Sequence, residues 1–272
     1  MTKDIRSEKY FLFTQYSLAT FKNCPLKFKK RYLENIKWDS SSDKDVIKRI
    51  ERGNNFHLLA YRYFLGIDEG LDEFSEEFID LNEWLCSLKE SFKLQGDKRY
   101  LPEYKLRMTK GFLKLEANYD LLIVDGDSIQ IWDWKTHDDS KNKKINSKCF
   151  VDSLQTIVYM FVLKEQIQLI LGKEVNCEQI SMFYWQPNPK KIIAEIRYNE
   201  ELHQKYKREL ESIIENIIKF DYSNFNKDIY KNHCKFCEFT RFCNKQKLDL
   251  KAIASSDDFI EGVAWDSLDE IF

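Results

Sequence analysis

A chain of 272 residues with 43 lysines and arginines against 45 aspartates and glutamates carries a formal net charge of −2. Its overall charge therefore marks no polyanion binder, and any such site must rest on local clustering. At 43% hydrophobic and 15% aromatic residues it can bury a core, which excludes a disordered chain. The longest uncharged helical run, Ser153 to Leu163, is too short for a bilayer, and no apolar run follows the first charges. A cytoplasmic protein without membrane association is expected.

In chain order, Met1 to Tyr10 reads as a polar, loosely held start. Ser17 is placed as the cap of a short helix carrying Leu18 and Phe21, and Pro25 suits the first turn of a second one, whose lysines alternate with aromatics. After the loop Asp39 to Asp43, a long helix carries Val46, Ile50, Gly53, His57, Tyr61 and Phe64 at helical spacing. His57 falls on its apolar face, where a lone histidine ordinarily belongs to the core, and Gly53 leaves room for another backbone to approach. Asp72 to Leu94 reads as an inserted amphipathic helix.

Strands are predicted over Tyr100 to Leu106, Leu113 to Val124 and Ile129 to Lys135. The last two are joined at Asp125-Gly126-Asp127, where Asp-Gly supplies the positive φ of a hairpin turn. A basic loop with Lys141, Lys143, Lys144 and Lys148 follows. The helix Ser153 to Leu171 then carries Gln155 and Tyr159 on one face. Ile180 to Trp185 and Ile192 to Tyr198 alternate as strands, and Glu200 to Phe220 is an amphipathic helix. From Lys251 onward, Asp257, Asp258, Glu261, Asp266, Asp269 and Glu270 alternate with apolar residues in an acidic tail over 251–272.

Side chains alternate along a strand, so Asp133 and Lys135 project from one face, with Asp120 on the neighbouring strand. Two carboxylates and a lysine so placed can hold Mg²⁺ or Mn²⁺ beside a phosphate and activate a water. The tripeptide Asp133-Trp134-Lys135 alone is more simply a surface ion pair. The apolar Ile123, Val124, Ile129 and Ile131 around it put the acids on a largely buried sheet, where an uncompensated acid pair is costly.

Cys86, Cys149 and Cys177 sit among apolar residues and are expected to fill core space. Cys24, Cys234, Cys237 and Cys243 form another pattern, one early cysteine and a late C-x2-C-x5-C. Four thiolates can hold zinc or an iron-sulfur cluster, and His233 beside them could stand in as a zinc ligand.

Taken together, these stretches resemble the PD-(D/E)XK nuclease superfamily, in particular the branch containing the RecB and AddB nuclease domains and related CRISPR-associated iron-sulfur nucleases. The resemblance runs in family order from about Phe13 to Cys243: Ser17 to Pro25, the helix with Gly53 and His57, Asp120, Asp133-Trp134-Lys135, Gln155 with Tyr159, and the terminal cysteines. It implies an α/β, restriction-endonuclease-like mixed central sheet flanked by helices. It also implies a helical insertion at about 66–98 within a 1–250 domain and a four-cysteine cluster joining the N- and C-terminal parts. It implies His57, Asp120, Asp133 and the Trp134 carbonyl as metal ligands, Lys135 as the catalytic lysine, Gln155 and Tyr159 as substrate-positioning or site-supporting residues, and a 4Fe-4S cluster, with Zn²⁺ the alternative, on Cys24, Cys234, Cys237 and Cys243. Ala117 stands where a glycine is common, and Tyr119 replaces the proline of the family name. The expected activity is metal-dependent hydrolysis of DNA, single-stranded or at duplex ends, in repair, recombination or processing, with a helicase or other protein partner supplying any unwinding. The rivals are an inactive nucleic-acid-binding subunit and a zinc-stabilised interaction module.

Overall fold

The computed structural model describes residues 11–36, 44–67, 79–136, 147–224, 226, 231–234 and 237–244. The loop Asp39 to Asp43, the first residues of the inserted helix, Lys141, Lys143, Lys144 and the acidic tail lie outside the described residues. Two compact units divide the chain: Arg52–Met108 with Glu116–Lys207, and Met1–Glu51 with Thr109–Leu115 and Arg208–Phe272.

The first of these units is built on a five-stranded sheet in the order β1-β2-β3-β4-β5. The strands are β1 (Arg99–Lys110), β2 (Leu113–Asp125), β3 (Ser128–Trp134), β4 (Ile180–Pro187) and β5 (Lys190–Arg197). β2 and β3 pair antiparallel, and Asp125 opposite Ser128 closes a two-residue turn whose left-handed φ of 58° falls on Gly126. β3 runs parallel to β4, with Asp133 opposite Tyr184 and Trp134 opposite Trp185. A parallel neighbour requires a crossover. It is supplied by α5 (Ser147–Val151), α6 (Leu154–Gln166) and α7 (Gln168–Leu171). β4 and β5 pair antiparallel, so the sheet is mixed.

The uncharged run in α6 explains its position: Thr156 through Leu163 are all buried, and the helix packs on β4. Ser153 caps it by accepting from the Thr156 amide. The single helix expected to Leu171 is divided at Ile167, and Gly172 ends the second piece with a φ of 70°.

On the other side of β4 lies α4 (Ile79–Ser91), a described part of the predicted insertion. Its Leu81, Trp84, Leu85 and Leu88 join Phe56, Leu59, Ala60 and Phe64 of α3 (Lys44–Phe64), with Leu121, Ile123, Trp134 and Trp185 from the strands. Phe92 meets the rings of Trp132, Trp134 and Trp185 edge-on at 4.7, 5.3 and 5.5 Å. Each such side chain withdrawn from water stabilises the fold by roughly 1.5–3 kcal/mol. This aromatic layer forms the back wall of β3.

The other unit contains α1 (Gln15–Asn23) and α2 (Pro25–Phe28), a π-helical turn Lys29–Leu33, and the C-terminal segments α9 (Lys231–Cys234) and α10 (Thr240–Asn244). The cap of α1 is Thr14, not Ser17. Ser17 sits three residues in and returns the bond to the Thr14 amide, because a capping box pairs two such residues reciprocally. Pro25 does open α2. The rings of Phe21, Phe28, Phe220 and Tyr222 pack together, and Lys27 pairs at 3.0 Å with Glu238, whose side chain is buried. α8 (Glu200–Lys219) carries the inward Tyr206, Leu210, Ile214 and Ile217 expected of it. No described helix is long and apolar enough to cross a membrane.

Two core assignments need correction. Cys86 and Cys149 are exposed; only Cys177 of the three scattered cysteines is buried. Cys86 occupies a helix position whose neighbours Leu85 and Leu88 already fill the inward stripe, so apolar neighbours in sequence did not put it inside.

Candidate active site

Strand alternation sends Trp134 into the aromatic layer and leaves Asp133 and Lys135 on the opposite face. There the Lys135 ammonium lies 3.1 Å from Asp133 Oδ2 and donates to Gln155 Oε1 at 3.0 Å. Gln155 in turn donates through Nε2 to Asp133 Oδ1 at 2.6 Å. One amide thus holds both members of the acid-lysine pair, and it stands on the first turn of α6, which Ser153 caps. The Lys135 backbone amide donates to the Trp185 carbonyl at 2.8 Å, which fixes the residue just past the end of β3.

Beneath the ammonium lies the ring of Tyr184, its centroid 5.4 Å away. The Tyr184 hydroxyl is 2.8 Å from Thr156 Oγ1 and 3.4 Å from Ser153 Oγ. Burial, with the Asp133 charge added, pushes its phenol well above the ordinary range, so it stays a neutral hydrogen-bonding group. Tyr184 was not singled out from the sequence. Its place follows from the parallel register that sets it opposite Asp133.

The second half of the site lies around Asp120. The Trp134 amide donates to Asp120 Oδ2 at 2.7 Å, tying the acid to the strand that carries Asp133. Asp120 Oδ1 lies 3.5 Å from His57 Nδ1, and the same ring nitrogen is 3.1 Å from Glu103 Oε1. Ligand atoms of His57, Glu103 and Asp120 all lie within 4.8 Å of one another, and among the described residues no other trio of histidine, cysteine or acid side chains does so. Burial alone would push the His57 imidazolium down, but the Asp120 charge, the Glu103 hydrogen bond and the more distant charges raise it to about 9. Burial raises Asp120 to about 6 against the pull of His57, and the Glu103 charge adds to the rise. One imidazole among carboxylates is a donor set that suits a divalent cation of the Mg²⁺ or Mn²⁺ class, and such a charge would relieve the crowding of acids.

Gly53, one turn before His57, makes close approach possible as expected, but to a side chain: a Cβ there would lie 3.4 Å from Thr136 Oγ1. Tyr159, one turn after Gln155, is buried. Its ring packs on Tyr119 at 5.0 Å, and its carbonyl accepts from the Tyr119 hydroxyl at 3.0 Å. The Trp134 indole nitrogen is buried without a hydrogen-bond partner in the aromatic layer. Glu103 has no spacing relation to the other acids and carries no motif. The only local signal was an acid inside an otherwise strand-like stretch.

Around the cysteines the geometry is looser. Cys24 lies between α1 and α2, Cys234 ends α9, and the Cys237 amide donates to the Cys234 carbonyl at 3.3 Å. Burial raises the Cys24 thiol, and nearby Cys234 adds to the rise; burial and then the Glu238 charge push Cys237 up to about 12, with Cys24 contributing. No three of the described thiols come within 4.8 Å of one another.

A family model described as the PD-(D/E)XK nuclease superfamily matches residues 12–244. Among solved structures, a candidate exonuclease from Eubacterium rectale aligns with a TM-score of 0.52 at 13% identity, over 92% of this chain and 98% of that one, which is a likeness of fold. A second, SSO0001, aligns at 15% identity over 85% of this chain and 95% of that one, but its TM-score of 0.30 is too low to bear on the site. No curated protein matches the chain.

Proposed function

Since the chain belongs to the PD-(D/E)XK nuclease superfamily, we propose that it is a divalent-cation-dependent deoxyribonuclease acting on single strands or duplex ends, with the face of β2 and β3 as its catalytic centre. The observation that carries this reading is the bridge of Gln155 between Asp133 and Lys135, beside the His57–Asp120 pair. An ion pair kept only for the fold needs no third group holding both partners in one orientation.

Mg²⁺ or Mn²⁺, held by His57, Asp120, Asp133 and the Trp134 carbonyl, would supply positive charge to the scissile phosphate and make a water acidic. The chain's own groups do the rest. Lys135, fixed by Asp133 and Gln155 and resting over the Tyr184 ring, offers an ammonium that orients the attacking water and neutralises charge developing on the phosphate. Asp120 keeps Oδ2 on the Trp134 amide and turns Oδ1 toward His57, the side on which a cation would sit. Gln155 holds the pair without adding charge, while Tyr159 supports α6 from within the core. The nuclease domain spans 1–250, with the inserted helix, and 251–272 is its acidic tail. We place its work in cytoplasmic DNA repair, recombination or processing, within the RecB/AddB-like branch, with a helicase or other partner where unwinding is needed.

The test is cleavage of linear duplex DNA, single-stranded DNA and RNA with Mg²⁺ or Mn²⁺, comparing the wild type with Asp133→Ala and Lys135→Ala. Loss of a charge-stabilising group should lower the rate by about 10²–10³-fold. A wild type that degrades nothing, or degrades no faster than the two variants, would sink the reading.

Cys24, Cys234, Cys237 and Cys243 we assign to a structural 4Fe-4S cluster, with zinc as the alternative. The support is their C-x2-C-x5-C spacing with one distant partner, and the influence of Cys234 on the Cys24 thiol and of Cys24 on that of Cys237. Anaerobically purified protein should contain iron and sulfide. Stoichiometric zinc without sulfide would exchange the cluster for the alternative, and neither metal would remove both.

A further inference from the structure

Glu103 is the one member of the His57–Glu103–Asp120 group to which no role has been given. It stands in β1 with its side chain 2% exposed, and it holds a φ of 47°. That left-handed conformation is unusual for a residue with a side chain, and rarer still inside a strand, where it costs of order 1–3 kcal/mol unless surrounding contacts impose it. Both carboxylate oxygens have partners at the site. Oε1 meets His57 Nδ1 at 3.1 Å, and Oε2 accepts from Asn118 Nδ2 at 3.2 Å. Among the described residues its only cationic partner is His57. Asn118 is 7% exposed, shares a face of β2 with Asp120, and its Oδ1 is buried without a hydrogen-bond partner.

Asp133 has one oxygen on the Gln155 amide and the other 3.1 Å from the Lys135 ammonium. The acid whose ligand atom closes a trio with those of His57 and Asp120 is Glu103. Resting on the nuclease reading above, we propose that Glu103 is a direct ligand of the catalytic cation, seated with His57 and Asp120. Asn118 fixes its carboxylate, and Asp133, whose charge Lys135 balances, adds to the set from β3. The strained backbone of β1 is what brings the carboxylate to this position. Two carboxylates match the charge of a divalent ion. An imidazole nitrogen in the set favours Mn²⁺ over Mg²⁺, whose ligands are oxygens.

The test is Mn²⁺ binding by the full chain without nucleic acid, followed by paramagnetic resonance of the bound ion, for wild type, Glu103→Gln and Glu103→Gly. Glutamine keeps an acceptor for the His57 ring and removes the charge. Glycine suits the left-handed backbone and removes the ligand, so one of the pair remains informative if the other misfolds. The expected result is a loss of about tenfold or more in Mn²⁺ affinity in both variants, with the magnetic coupling of the ion to the His57 nitrogen retained. Unchanged affinity would overturn the proposal. So would weaker binding accompanied by loss of that nitrogen coupling, because Glu103 would then act only by positioning His57. Binding is read apart from cleavage. A protein that seats Mn²⁺ through Glu103 yet leaves DNA and RNA intact fails the nuclease reading alone.

Discussion

The acids of the β2–β3 hairpin and the cysteines of the terminal segments are both candidate metal ligands, but they are held in different ways. Asp120 and Asp133 sit on neighbouring strands, so the ladder fixes their separation, and backbone and side-chain donors occupy their oxygens. The cysteines sit at the ends of short helices and in a loop, where no ladder sets the distance between them. The chemical states differ as well. The acid site is a set of charges that balance one another. Burial pushes the Cys24 and Cys237 thiols up, Cys237 to about 12, which favours their protonated forms at neutral pH. Thiolate coordination there would release protons, whereas a cation at the acid site would compete with the proton on His57. A strand ladder can arrange ligands by itself, while a loop cluster needs another fastening.

That fastening is testable. Lys27 on α2 pairs with Glu238, which follows Cys237, at 3.0 Å, and the side chains are 13% and 2% exposed. Lys27→Met strands a buried carboxylate and should cost about 3 kcal/mol in denaturant unfolding. Adding Glu238→Leu should recover much of the loss, because the uncompensated charge is gone. Cleavage per folded molecule should stay near wild type in both, since neither residue is part of the acid site. A Lys27→Met chain as stable as wild type would show that the cysteine segments are fastened by something else and would break the contrast.

The contrast also explains what could be read from the sequence. Asp133 and Lys135 were legible because a period of two puts them on one face, and the Asp-Gly turn fixed the register that brings Asp120 alongside. Both follow from local geometry, as does the placement of Gln155 on the first turn of a helix. Glu103 was not legible. It reaches the site through a left-handed backbone in a different strand, and no propensity favours that conformation for a glutamate. Tyr184 was missed for a related reason: it faces Asp133 only because β4 pairs parallel to β3 across the long crossover. The cap of α1 was misplaced by three residues because a capping box contains two residues able to play the part. The exposure of Cys86 and Cys149 shows the limit of reading burial from neighbours in sequence.

A smaller effect sharpens the acid side of the comparison. In metal-free protein, His57 is raised from 6.5 to about 9, chiefly by Asp120 and Glu103 working against burial. Its folded value is above its unfolded one, so its stabilising contribution is complete below about pH 6.5 and is lost as pH rises through about 9. Asp120, raised from 3.8 to about 6, acts with the same sign in a lower window, because the folded chain keeps its proton longer. Between pH 6.5 and 9 the metal-free chain should therefore lose on the order of 2 kcal/mol of stability, read as a falling melting temperature. His57→Gln should remove most of that slope. Saturating Mn²⁺ should reverse the trend, because binding requires the deprotonated ring and strengthens as the proton leaves. The cysteine segments are not expected to contribute in this window below the values to which burial has raised Cys24 and Cys237. If the slope persists in His57→Gln and vanishes when Cys237 is replaced, the proton that matters is held by the thiols and not by the hairpin.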